Sequence, residues 1–92
     1  MIHSFSCKET EDLFNSKSSR RFRSFERIAR RKLLQIHAAT NLLDLRIPPG
    51  NMLECLQGRR KDQHGIRING QWRICFVWKE DGAHKVEIVD YH

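Results

Sequence analysis

Apolar residues recur along this chain at two different periods, and the change falls near Gly50. Before it, Phe22, Phe25, Ala29, Leu33 and Ile36 follow one another at steps of three and four. That spacing lines one side of a helix and predicts one from about Arg20 to Thr40, with Arg23, Arg27, Arg30 and Arg31 largely opposite. The aromatic residues lie within the apolar stripe, which assigns them to a core rather than to a base-stacking platform. After Gly50 the period is two. Met52–Leu56 predicts a short strand and Gly58–Asp62 a basic loop. Gly65–Ile68, Trp72–Lys79 and Lys85–Tyr91 read as three further strands, with Asn69-Gly70 and Asp81-Gly82 as turn signals.

The first twenty residues add two elements. Ile2–Phe5 reads as a first strand. Ser6-Cys7-Lys8-Glu9 has the form of a capping box, in which Ser6 caps a helix that runs to about Asn15 and Glu9 reaches back. Ser16–Ser19 is a polar turn whose Ser18 or Ser19 can cap the next helix. Asn41–Arg46 reads as an irregular turn, and Pro48-Pro49-Gly50 excludes helix beyond it. The expected architecture is α+β: an N-terminal strand and two helices packed on one face of a twisted antiparallel sheet.

Register decides which residues share the other face. A two-residue loop at Asn69-Gly70 would pair Ile66 with Arg73 and set a guanidinium among isoleucines. A three-residue loop with a bulge shifts the pairing by one. Ile66 and Ile68 then join Trp72, Ile74, Phe76 and Trp78 beneath the helices, while Arg67 and Arg73 share the helix-free face. Burying an unpaired Arg73 costs several kcal/mol by order of magnitude, so the second register is expected.

Composition narrows the class. With 92 residues, 39% of them hydrophobic and 30% charged, the chain makes one domain spanning 1–92. The longest apolar run, Ile74–Trp78, is far short of the ~20 residues that span a bilayer. Met1–Phe5 lacks the pattern of a secretory signal, so a cytoplasmic location is expected and no membrane partner. Cys7, Cys55 and Cys75 are odd in number without C-x-x-C spacing, which reads as three reduced thiols, Cys75 in a strand core. The five histidines form no H-x-x-x-H, so no metal site and no cofactor are expected.

The net charge of +6 is uneven. Residues 17–32 carry +7 and residues 59–73 carry +4, on either side of a near-neutral stretch. Clustered arginine is the footprint of phosphate contact. Arg20, Arg23, Arg27, Arg30 and Arg31 in the first block, and Arg59, Arg60 and Lys61 in the second, are therefore candidate RNA-binding residues. Two arginines on a helix-free sheet face form an anion site, and Asp90, Tyr91 and His92 supply an acid, a phenol and an imidazole nearby. Those are the parts phosphoryl transfer needs, a proton carrier and cations on the developing charge.

Pro48-Pro49-Gly50-Asn51, Ile66-Arg67-Ile68-Asn69, Gln71-Trp72-Arg73-Ile74-Cys75-Phe76 and the ending Val86-Glu87-Ile88-Val89-Asp90-Tyr91-His92 together resemble HigB-type toxins of the RelE/ParE superfamily. The resemblance covers essentially the whole chain and is strongest to the branch that includes GraT. It implies a small RelE-like sandwich and a toxin of a bacterial type II toxin–antitoxin pair. Such a toxin is a metal-independent endonuclease that cuts mRNA on the ribosome. It also implies a HigA-type antitoxin with a helix-turn-helix domain, and contact with operator DNA only through the antitoxin complex. By the same resemblance Arg67 and Arg73 neutralise the scissile phosphate, His92 transfers a proton, Tyr91 stacks on or orients a base, and Asp90 orients its neighbours. Some HigB toxins carry a His and a Lys where this chain has Glu54 and Gln57. Glu54 can replace the base, but a cation is lost. Two other readings compete: a ParE-like toxin that binds DNA gyrase without catalysis, and a basic nucleic-acid-binding domain.

Overall fold

A computed structural model describes residues 1–90; Tyr91 and His92 lie outside the described residues. Helix α1 covers Lys8–Phe14 and α2 covers Glu26–Ala38, the latter preceded by a single 3-10 turn at Arg23–Phe25. The strands are β1 (Glu54–Cys55), β2 (His64–Arg67), β3 (Trp72–Lys79) and β4 (Gly82–Asp90), joined in that order into one antiparallel sheet. The N-terminal segment runs parallel to β4. It makes isolated bridges, Ile2 to Ala83 and Phe5 to Val86, rather than a continuous strand. Among the described residues no helix is long and apolar enough to cross a membrane.

Both helices lie on one face of the sheet. Leu13, Phe22, Ala29, Leu33 and Ile36 are fully buried against Ile66, Ile74, Phe76, Ala83, Val86 and Ile88. Phe22, Phe25 and Trp72 form an aromatic cluster, with ring centroids 5.1–5.8 Å apart. The core assignment of the two phenylalanines therefore stands, and Trp72 is the sheet residue that meets them.

The expected register at Asn69-Gly70 is the one observed. Ile66 pairs with Ile74 and Arg67 with Arg73, and Ile68 N–H donates to Trp72 O across a three-residue loop. Asn69 Oδ1 closes that loop by accepting from the backbone N–H groups of Gln71 and Trp72. A second irregularity was not expected. Cys75 pairs with Glu87 but Val77 with His84, so β4 carries one extra residue there. Lys85 sits at that point with φ 53°, the left-handed region. The extra residue changes the parity of β4, which lets Ala83, Val86 and Ile88 all face the helices.

Several local expectations fail for identifiable reasons. The N-cap of α1 is Cys7 and no side chain caps it. Ser6 and Glu9 make no capping box, because the Glu9 carboxylate accepts from Ser19 Oγ at 3.1 Å and faces Arg21 at 3.4 Å. Neither Ser18 nor Ser19 caps α2; Ser18 Oγ instead donates to Glu26. Asn41–Arg46 is better ordered than the turn expected. Leu42–Arg46 forms a 3-10 helix with a capping box made by Asn41 and Asp44. The strand expected over Met52–Leu56 is cut to two residues after Met52 enters the left-handed region at φ 48°.

The irregular stretch 41–51 is fastened to α2 by one buried residue. Asn51 is fully buried, and its amide donates to Leu45 O at 3.1 Å, Gln35 Oε1 at 3.2 Å and Ile47 O at 3.4 Å. Its carbonyl accepts from the Lys32 ammonium. Lys32 is itself buried, and that burial, with Arg31 beside it, lowers its pKa from the ordinary 10.5. Lys32 is thus a structural residue within the basic stretch.

Candidate active site

The sheet face away from the helices is built by alternation. Gly65 and Arg67 of β2, Arg73, Cys75 and Val77 of β3, and Glu87 and Val89 of β4 fall on it by direct pairing. Glu54 joins them from β1 as the partner of Gly65. Gly65 itself carries no side chain, and the buried Leu56 packs over it, 3.4 Å from where a Cβ would stand.

Charges on this face are arranged in pairs. Arg73 Nη1 lies 3.2 Å from Glu54 Oε1, with Arg73 mostly buried and Glu54 accessible. Arg60 Nη1 lies 3.0 Å from Glu87 Oε1 and also donates to Gln63 Oε1. Cys75 is fully buried between these pairs, and burial pushes its thiol pKa up, which keeps it neutral and unreactive. Arg67 closes the row. Its Nε donates to Asn69 O at 3.0 Å and its Nη1 to Met52 Sδ at 3.4 Å, and among the described residues no carboxylate pairs with it. The face therefore offers two cations that face acids, Arg73 and Arg60, a third, Arg67, bonded to neutral groups, and the accessible carboxylate of Glu54.

The structure brings Arg67, Arg73 and Glu54 onto one face. It separates Asp90 from them. Asp90 is the direct partner of Trp72, so it falls on the helix side of the sheet, where Gln71 Nε2 donates to it at 3.0 Å. The expectation that Asp90 stands beside the two arginines is corrected by the β3–β4 register. Tyr91 and His92, the other two members of the C-terminal trio, lie outside the described residues. Gln57, at the position of the missing cation, is exposed at the entry to the 3-10 turn Gly58–Arg60.

The basic residues divide into bound and accessible groups. Arg23, Arg27 and Arg31 line one open groove of about 410 Å³ at the start of α2, together with Phe25, Glu26 and Ile28. Arg20, Arg59 and Lys61 are exposed. Arg30, expected among the RNA-binding residues, instead donates from Nε to Leu13 O at 3.0 Å and ties α2 to the end of α1. Arg60, in the same group, is committed to Glu87 and Gln63. Arg21 stands over the rings of Phe22 and Trp72, 5.2 and 5.4 Å from their centroids. One cluster escaped the sequence: His3, Asp81 and His84 present their polar atoms within 4.8 Å of one another. Only the Asp81-x-x-His84 spacing could have hinted at it, since His3 arrives from the far end of the chain.

Residues 3–92 match a family model described as the RelE-like toxin of the type II toxin–antitoxin system HigB. Toxin HigB-1 of Vibrio cholerae serotype O1 is 44% identical over 69 residues, which cover 75% of this chain and 72% of that protein. An uncharacterized protein of Haemophilus influenzae is 36% identical over 60 residues, 65% of this chain and 59% of its own length. With a match across nearly the whole sequence, and the sandwich and register described above, the chain belongs to the HigB-like family, the RelE-like toxins of type II toxin–antitoxin systems.

Proposed function

We infer that this toxin cuts mRNA held on the ribosome, with the helix-free sheet face as its catalytic surface. RelE-like toxins are ribosome-dependent mRNA endonucleases. The observation that carries the reading to this chain is the meeting of Arg67, Arg73 and Glu54 on one face, where an accessible carboxylate sits 3.2 Å from a mostly buried guanidinium. A gyrase-binding toxin has no need of that pair.

The nucleophile in this reading is the ribose 2′-hydroxyl beside the scissile phosphate. Its proton passes to Glu54 as its oxygen attacks phosphorus in line, and the P–O5′ bond breaks as the new bond forms. Arg73 and Arg67 bind the phosphoryl oxygens and stabilise the charge that develops on them. His92 is assigned the proton delivered to the departing 5′-oxygen, and Tyr91 the orientation of a neighbouring base. Asp90, on the other side of the sheet, is not the counterpart of His92 in this scheme; Glu54 is. Both proton transfers run through side chains, so the step is metal-independent. The exposed arginines at the start of α2, with Arg20, Arg59 and Lys61, contact ribosomal RNA and carry affinity rather than chemistry.

Membership of a type II system brings an antitoxin partner, and a HigA-type protein with a helix-turn-helix domain is the form proposed. The deciding experiment combines purified toxin, ribosomes and a defined mRNA, with both new ends mapped. A 2′,3′-cyclic phosphate upstream and a 5′-hydroxyl downstream are expected. A 5′-phosphate on the downstream fragment rules out the 2′-hydroxyl as nucleophile, and intact mRNA rules out the endonuclease.

A further inference from the structure

We propose that His3, Asp81 and His84 form a binding site for a divalent transition-metal ion of the zinc class, which fastens the N-terminal segment to the β3–β4 hairpin. Each residue offers one ligand atom, and all three atoms lie within 4.8 Å of one another. Zinc at about 2.0–2.2 Å from its ligands in a tetrahedral site sets neighbouring ligand atoms about 3.3–3.6 Å apart. The widest separation here therefore closes by rotation of side chains that are exposed or half-buried, with no movement of the sheet.

The backbone delivers the three residues ready placed. His3 N–H donates to Ala83 O at 2.8 Å, and Ala83 N–H donates to Met1 O at 2.9 Å, so His3 is held beside His84. Ile2 N–H is taken by His37 Nδ1 at 3.1 Å, which anchors the segment from the α2 side. Gly82 allows the close approach: its φ is +127°, and a Cβ there would collide with the carbonyl oxygen of Met1.

The rings are set so that both imidazoles present a nitrogen to the same residue. The two imidazoles stack at 4.9 Å with 19° between their planes. Both turn Nε2 toward Asp81: His84 lies 2.7 Å from Oδ1, while His3 lies 3.7 Å from Oδ2 and 2.6 Å from the Asp81 carbonyl oxygen. His3 Nε2 meets the Asp81 carbonyl oxygen rather than the carboxylate, so its ring turns from that oxygen to reach an ion held by His84 and the carboxylate. A single divalent ion satisfies both nitrogens and the carboxylate at once. Two imidazoles with one carboxylate suit zinc, nickel or copper, not magnesium or calcium, which take oxygen ligands. Solvent faces the site, so water fills the remaining coordination position.

The site is remote from the candidate active site. His84 pairs with Val77, four residues along β3 from Arg73. That is about 13 Å at the rise of a strand.

The test uses the full chain without a polyhistidine tag, stripped of metal, with zinc chloride alone as the probe. Calorimetry is expected to show one ion per chain bound at micromolar concentration or tighter, and the melting temperature is expected to rise until that site is filled. His3→Ala and Asp81→Asn should each weaken binding at least tenfold, His84→Ala likewise, and magnesium should shift nothing. His64→Ala, on the inner strand β2, should bind as the unaltered chain does. His3 is exposed, so His3→Ala decides the matter even where His84→Ala folds poorly. No saturable binding up to millimolar zinc, or the same affinity in His3→Ala, overturns the proposal.

Discussion

Replacing Glu54 by glutamine removes one charge from the face and almost no volume, and it separates two roles that the Arg73–Glu54 contact allows. As a counter-ion, Glu54 only holds Arg73. Its side chain is 43% exposed against 14% for Arg73, so solvent screens much of their attraction. Loss of such a partly exposed pair costs about 0.5–1 kcal/mol. In a domain of this size that lowers the melting temperature by about 2–8 °C. As the proton acceptor, Glu54 contributes about 10²–10⁴ to the rate. Glutamine still accepts a hydrogen bond from Arg73 but takes no proton at neutral pH. The assay is single-turnover cleavage of ribosome-bound mRNA, with thermal melting of the same preparation. The expected result is a small loss of stability and a fall in cleavage of at least a hundredfold. Cleavage within tenfold of the unaltered toxin, beside a measurable drop in melting temperature, would show that Glu54 only positions Arg73.

Arg73→Ala should raise the cleavage barrier by about 2.7–4 kcal/mol. His92→Ala should slow single-turnover cleavage by about 10²–10⁴, and full activity in that variant removes His92 from the mechanism. Changing Arg23, Arg27 and Arg31 together to alanine should weaken ribosome binding and lower the slope of log K against log salt by about 2–3, while cleavage of bound mRNA survives; Arg30→Ala should instead lower stability by about 1 kcal/mol through loss of its bond to Leu13. Asn51→Leu leaves the Lys32 ammonium buried without its acceptor and should cost about 3–5 kcal/mol by urea denaturation. Lys32 also predicts a pH effect: its pKa in the folded chain is below 10.5, so the unfolded chain holds more protons in the interval up to 10.5. Relative to Lys32→Met, the unaltered protein should gain stability as pH climbs through that interval, and a flat difference refutes the burial of the charged form.

The placement of Arg67 and Arg73 was legible because one strand alternates cleanly from Trp72 to Trp78, and the cost of a guanidinium among isoleucines excludes the other register. Glu54 was legible only as a substitution at a family position; its contact with Arg73 depends on the pairing of a two-residue strand, too short for periodicity to locate. Asp90 was misplaced because its face is set by its pairing with Trp72, which the spacing within β4 alone does not fix. The extra residue at Lys85 escaped for a different reason: nothing in its chemistry favours a positive φ, and the bulge follows from packing Ala83, Val86 and Ile88 together. Glu9 looked like a capping partner by spacing, and lost that role to two residues ten and twelve positions away. Arg30 and Arg60 illustrate the same limit, since charge counting cannot distinguish an arginine offered to RNA from one engaged by a carbonyl or a carboxylate.

The parallel pairing of the first six residues with β4 also settles what the molecule shows to its neighbours. A nine-residue strand left open would present a row of unsatisfied amides and carbonyls to any other chain, the usual route to self-association. Here His3 and Ser6 N–H groups donate to Ala83 and Val86, and Ala83 and Val86 N–H groups donate to Met1 and Ser4, so that margin is already taken. The opposite margin is only two residues long, at Glu54–Cys55. With one rim occupied over Ala83–Val86 and the other cut short, the sheet offers little for a second copy to zip against.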